Sequence, residues 1–242
     1  MPRSLTKSAG EQEAMILEAA VKCIEQSSIL DFTMAAVSKE AGLSMGSIYK
    51  HVQSKEDVLV ALSTHAFSYE RNVFTDVMNL PLSTPERLVA TMLVLSDKFH
   101  HYPFGAQLKM LVSNQAVLQR ASSGWIEKLR HINTEIGQVF EAAMVRACNT
   151  GELITGDSDR EIMLDTICVS LWSMHVGFVQ VAYQRFAFEQ HQVTAKLPFP
   201  IPTNHVLLNG AQRFINSFPW KKPLDKQGIE KASALLTERG YR

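Results

Sequence analysis

Residues 33–55 read TMAAVSKEAGLSMGSIYKHVQSK. Thr33 is a capping residue, and the stretch to Ala41 makes about two and a half helical turns. Gly42-Leu43 then forms a tight turn, because glycine tolerates a left-handed backbone. Ser44 caps a second, short helix running to about His51. Val37, Ala41, Leu43 and Ile48 meet in a small core that fixes the angle between the two helices, which is helix-turn-helix spacing. The bland reading is an ordinary pair of packed helices in an all-α protein.

The side chains favour nucleic acid. The second helix presents Ser44, Met45, Gly46, Ser47, Tyr49, Lys50 and His51, with Lys55 in the first turn of the helix that follows. Hydroxyls, a phenol, an imidazole and ammonium groups all suit phosphate oxygens. A lysine opposes the dipole at a helix start, so a nearby phosphate is a natural reason for Lys55. Charge argues the other way. The whole chain is neutral, and residues 1–60 hold six Lys/Arg against eight Asp/Glu, a net −2 where a basic head is preferred.

Outward from this segment the periodicity is helical nearly everywhere. Met15, Ala19, Ala20, Cys23 and Ile24 stripe a first helix from about Glu11 to Gln26. Ser54-x-x-Asp57 resembles a capping box for a helix running towards Met78. Thr84-Pro85-Glu86 signals a helix capped by Thr84 and reaching about His101. Further helices are predicted over Phe104–Leu118, Ser123–Cys148, Ser158–Gln190 and Asn204–Asn216. Asn149-Thr150-Gly151 is a break, Lys196–Thr203 an extended Pro-rich linker, and a short amphipathic helix follows Pro219.

The pattern Thr33, Val37, Ala41-Gly42, Ser44, Ile48-Tyr49-x-His51 and Ser54-Lys55-Glu56, with Leu59 behind it and Ile16–Ala20 before it, resembles the TetR family of bacterial regulators. The resemblance covers roughly residues 11–65. It implies that Thr33, Ser47, Tyr49, His51 and Lys55 touch the DNA backbone while Ala35, Met45, Gly46 and Lys50 face base edges. There are departures: no glycine in Ser27–Leu30, Ser38 for the usual alanine, and Val52 for the common phenylalanine. Ala35, Met45 and Gly46 make no bidentate hydrogen bond, so readout leans on thymine methyls, on Lys50 to guanine, and on DNA shape.

The fold expectation is all-α: an N-terminal three-helix DNA-binding domain (residues 1–57, helix-turn-helix 33–51), a larger helical ligand-binding and dimerisation domain (58–218), and a tail (219–242). The resemblance implies pairing through 158–190 and 204–216. Ile167, Leu171, Met174, Phe178, Val181 and Ala182 form an apolar stripe that needs a partner, either a second subunit or the core of the same one. A single helix-turn-helix reads few bases, and paired ones match a palindromic operator.

Six methionines between Met78 and Met174, with several aromatics, suggest a lipophilic effector. Met92, Phe99, Tyr102, Phe104, Met110, Trp125, Phe140, Met144 and Trp172 are the candidate ligand contacts, although each alone is more often core. His100-His101 is placed to meet an anionic head group or respond to pH.

Three scattered cysteines exclude a disulfide framework, and no metal or cofactor motif occurs. The most apolar segment, Ile162–Ala182, carries enough polar residues to read as a buried helix rather than a membrane span. No catalytic motif is present, and Cys168 and His175 lie about two turns, ~10 Å, apart on one helix. The expectation is a cytoplasmic, homodimeric, non-enzymatic repressor released from double-stranded DNA by its effector. A helical small-molecule carrier whose head binds DNA weakly or not at all is the rival class.

Overall fold

The computed structural model describes residues 8–156, 159–189 and 199–242. Among them every regular element is a helix: α1 Ala9–Gln26, α2 Met34–Ala41, α3 Met45–Ile48, α4 Lys55–Met78, α5 Thr84–Leu93, α6 Ser96–Phe99, α7 Gly105–Val112, α8 Gln115–Leu118, α9 Ser123–Asn149, α10 Arg160–Glu189, α11 Val206–Ile215 and α12 Lys226–Glu238. One isolated bridge pairs Leu153 with Trp220. The all-α expectation holds.

Internal contacts divide the chain into two compact units, Met1–Tyr69 with His100–Asn133, and Glu70–Phe99 with Thr134–Arg242. Each has its own apolar core. In the first, Ile16, Ala20, Phe32, Val37, Ile48 and Leu62 are joined by Leu108, Trp125 and Leu129. Residues 100–133 therefore pack with the helix-turn-helix. In the second, Met78, Leu88, Met92, Met144, Ile167 and Leu208 are joined by Ile229 and Leu236 of α12, so the tail is a packing helix.

The caps show why the elements start where they do. Ser8 and Glu11 form a reciprocal capping box, so α1 begins at Ala9, two residues before the predicted start. Ser83, not Thr84, caps α5: Glu86 returns to the Ser83 amide at 2.8 Å, while the Thr84 amide and hydroxyl donate to Glu152. Ser54 accepts from the Asp57 amide at 3.0 Å, but Asp57 accepts from Gln53 rather than Ser54, so the expected box is only half formed.

Two predicted helices are interrupted. The helix expected to reach His101 stops at Leu93. The Arg242 guanidinium donates to the Leu93 carbonyl at 2.9 Å and the Leu95 amide donates to the Tyr241 carbonyl at 2.9 Å. Those two backbone groups thus find partners outside the helix. The helix predicted over Phe104–Leu118 is two, because Asn114 caps α8 through the Ala116 amide at 2.8 Å.

Gly151 makes the expected break, with φ 70°. His205 caps α11 through its ring nitrogen, so that helix starts at Val206. The ends predicted for the long helix at Ser158 and Gln190, and Lys196–Pro198 of the linker, lie outside the described residues.

The predicted buried helix needs correction. Only Ile167, Leu171 and Ala182 of α10 are buried. Of the apolar stripe, Met174 and Phe178 pack against the core of their own unit and Val181 is exposed. On the other side Ile162, Val169, Trp172 and Val176 face solvent, Trp172 at 67% exposure. By length and composition α10 is the one described helix apolar enough to cross a membrane, with mean hydropathy 1.6.

Candidate nucleic-acid interface

The helix-turn-helix is built by three local signals. Thr33 Oγ1 accepts from the Ala36 amide at 3.1 Å, Gly42 adopts φ 64°, and Ser44 Oγ accepts from the Ser47 amide at 3.2 Å. Ser38 donates to the Leu43 carbonyl at 2.6 Å and ties the turn to α2. This contact uses the hydroxyl at one of the positions that depart from the pattern the sequence resembles. Val37, Ala41 and Ile48 are buried and Leu43 half-buried, as the spacing predicts.

Thr33, Ala35, Ser44, Gly46, Tyr49 and Lys50 are exposed, and Met45, Ser47, His51 and Lys55 are half-buried. The capping oxygens of Thr33 and Ser44 accept backbone N–H groups. Ser44 and Ser47 also share a hydrogen bond at 3.0 Å. Regular helix ends at Ile48, three residues short of the prediction, so Tyr49, Lys50 and His51 lie in the turn that follows.

Two candidates have partners that sequence reasoning missed. His51 Nε2 lies 3.2 Å from Gln12 Oε1, and its carbonyl accepts from Trp125 Nε1 at 3.0 Å. Lys55 Nζ donates to the Leu30 carbonyl at 2.8 Å and sits 4.6 Å from the centre of the Phe32 ring. That contact gives Lys55 a reason of its own inside the protein, so the phosphate argument drawn from its helix position is not needed to explain it.

The first unit as a whole is less acidic than residues 1–60 alone. Residues 100–133 bring Lys109, Arg120, Lys128 and Arg130 against Glu127 alone, which turns the net −2 of residues 1–60 into +1 for the whole unit, residues 61–69 carrying no charged side chain. Acids of the head are engaged: Glu13 with Lys128 and Glu56 with Arg120, each at 3.5 Å, and Glu18 and Glu40 with Lys22 at 3.4 and 3.5 Å.

The candidate ligand contacts are not gathered in one place. Met92, Phe99 and Met144 are buried in the core of the second unit, with Phe140 packed against it. Phe74 joins Phe99 and Phe140 by ring contacts at 5.1 and 5.0 Å. Tyr102, Phe104 and Trp125 belong to the first unit, where Tyr102 and Phe104 stack at 5.4 Å. Met110 and Trp172 face solvent.

None of the nine lines the groove of about 400 Å³ in the second unit, which Arg71, Thr75, Met78, Val139, Ala142 and Arg146 help to form. Arg71 pairs there with Glu135. His100 and His101 also sit in the first unit. Burial, and secondarily Lys109, push the His100 imidazole down to about 4, so it stays neutral at pH 7 rather than responding near neutrality. His101 is the exposed one, between the rings of Tyr69 and Tyr102.

Residues 16–62 match the family model described as bacterial regulatory proteins, tetR family. The head of the chain is thus that of the TetR family. The chain is 25% identical over 159 residues to the fatty acid metabolism regulator protein of Bacillus subtilis (strain 168), covering 61% of this chain and 79% of that one. A putative TetR-family transcriptional regulator from Mesorhizobium loti shares its fold with TM-score 0.50 and 15% identity, over 95% of this chain and 98% of the other. FadR from Bacillus subtilis, in complex with stearoyl-CoA, superposes with TM-score 0.48 and 16% identity, over 91% and 97%. With that head the chain is a ligand-responsive, DNA-binding transcription regulator.

Proposed function

We propose that the chain is a homodimeric repressor, acting in the cytoplasm, that is released from a palindromic operator by a small lipophilic effector. Residues 1–57 present the DNA-contacting side chains, 58–218 supply the effector and partner surfaces together with the 100–133 stretch that packs on the head, and 219–242 brace the second unit. The observation that carries the DNA half is the exposed Tyr49-Lys50 pair at the end of a capped, four-residue recognition helix. Thr33, Ser44, Ser47, Tyr49, His51 and Lys55 meet phosphates, while Ala35, Met45, Gly46 and Lys50 face bases.

Dimerisation is supported by α10. Ile162, Val169, Trp172 and Val176 recur at spacings of seven, three and four, one face of a helix. An apolar face of that kind needs cover, and a two-fold partner supplies the same face back. For the effector, Met92, Phe99, Phe140 and Met144 form the adaptable apolar cluster that an acyl chain would open. The likeness to a regulator of fatty acid metabolism favours a fatty-acid derivative. Nothing in this assignment requires a catalytic step.

The test is recovery of bound genomic fragments with the purified protein, followed by anisotropy on the best fragment with and without long-chain acyl ligands. One palindromic site, lost in Tyr49→Ala and released by an acyl ligand, supports the reading. Weak, sequence-blind binding returns the chain to the carrier class.

A further inference from the structure

We propose that the stretch Arg120–Lys128 belongs to the DNA-reading apparatus, with Trp125 and Asp57 as positioning residues that hold the end of the recognition helix. The inference rests on the regulator reading above. Its starting point is the length of α3. Four residues make little more than one turn, and a single turn does not hold itself in water. Tyr49, Lys50 and His51 lie beyond it, in a turn that its own backbone ties only to α3, through Lys50 to Ser47 and through His51 and Val52 to Ile48.

Two side-chain contacts tie α3 and this turn to the rest of the unit. The buried indole of Trp125 donates to the His51 carbonyl at 3.0 Å. The Asp57 carboxylate, only 1% exposed, accepts from two amides: Gln53 at 2.8 Å, between the recognition helix and α4, and Ser122 at 2.6 Å, just before α9. A buried carboxylate is held only when its lone pairs are used, and here both oxygens are. The indole is fixed in turn. Lys128 Nζ lies 3.7 Å from its ring centre and pairs with Glu13 of α1 at 3.5 Å. His51 itself reaches Gln12 on the same helix. The turn carrying Tyr49 and Lys50 is thus clamped at its far end to α9 and α1.

Trp125 and Asp57 are too buried to touch DNA, which separates positioning from contact. Trp125→Phe keeps an aromatic ring but loses the pyrrole and its N–H, and Asp57→Asn keeps the shape and removes the charge. Anisotropy titrations on the wild-type operator at several salt concentrations should show the operator Kd rising about tenfold in each variant. The slope of log K against log salt should stay that of wild type, because no phosphate contact is lost. The active fraction, titrated at high DNA concentration, should also be unchanged. Amide shifts in the free protein should concentrate at Tyr49–Gln53.

A Kd within twofold of wild type in Trp125→Phe overturns the proposal, as does a weaker Kd accompanied by a loss of about one in the slope, which would make the residue a phosphate contact. A fall in melting temperature and active fraction with Kd unchanged reduces the clamp to plain stability and likewise overturns it. If Asp57→Asn does not fold, Trp125→Phe carries the test alone. A wild-type protein that fails to select an operator overturns the regulator reading with it, whereas wild-type binding matched by Trp125→Phe overturns only this inference.

Discussion

Replacing Lys55 with methionine keeps the stem over Phe32 and removes the ammonium. The amine donates to the Leu30 carbonyl at 2.8 Å and lies 4.6 Å from the Phe32 ring, both in the stretch between α1 and α2 that leads into Thr33. A hydrogen bond from a charged donor contributes about 1.5–3 kcal/mol. A cation over an aromatic ring at a partly exposed site adds about 0.5–1 kcal/mol. Against this, a cation in the first turn of α4 costs about 0.3–1 kcal/mol through the helix dipole, and partial exposure screens every one of these contributions. The expected balance is a loss of about 1 kcal/mol, or about 2–4 °C in melting temperature for a chain of this size. An ammonium has three N–H groups, and one on Leu30 leaves others for a phosphate. The salt slope of operator binding should therefore also fall by about one. Urea melts give the first quantity and anisotropy at four salt concentrations the second. An unchanged stability would refute the Leu30 contact as a source of order in the head; an unchanged slope would refute the phosphate role, independently of the first result.

Lys50→Ala should relax selectivity at one base step by about 1–3 kcal/mol, read by competition with operators varied singly at each position. Gly105→Ala places a Cβ 2.7 Å from the His100 Cβ, so it should destabilise the protein by about 1–3 kcal/mol in a urea melt. His100 has a folded pKa near 4, below its unfolded value, so the unfolded state binds the extra proton between about pH 4 and 6.5. Stability from this group is complete above that window and is lost as pH falls through it; His100→Asn should flatten the acid limb of a stability–pH curve. Trp172→Glu buries a charge in the proposed dimer face and should yield monomers in sedimentation at micromolar protein, with operator affinity falling by tenfold or more.

The head was legible because its signals are local. Thr33, Gly42 and Ser44 each act on groups within a few residues, and Val37, Ala41 and Ile48 close a core across one turn. The clamp was not legible: Trp125 meets His51 from 74 positions away and Ser122 meets Asp57 from 65, and no periodicity encodes such a pair. The stop of α5 at Leu93 was hidden for the same reason, since the partners of the freed backbone groups come from Tyr241 and Arg242. In α10 the difficulty is different. Apolar residues occur all round the helix, so the sequence offers two stripes and no rule for choosing between them. Ile167 and Leu171 went to the core of the chain, and Trp172 and Val176, on the next positions round, were left outside.

The chemistry of the recognition surface explains why rigidity matters more here than in a head rich in base-reading side chains. In the proposed assignment Ala35, Met45 and Gly46 offer van der Waals contact and no paired hydrogen bonds, which leaves Lys50 to read an edge by donation. What remains is shape: how well the phosphates of a given sequence meet hydroxyls and amides fixed at Thr33, Ser44 and Tyr49. A head that flexes would follow any duplex and select none, because the deformation cost would pass to the protein instead of the DNA. The Lys55–Leu30 tie at one end and the Trp125–His51 and Asp57–Ser122 ties at the other hold both flanks of the helix-turn-helix against that compliance. On the proposed assignment, selectivity in this chain therefore depends on residues that never face a base.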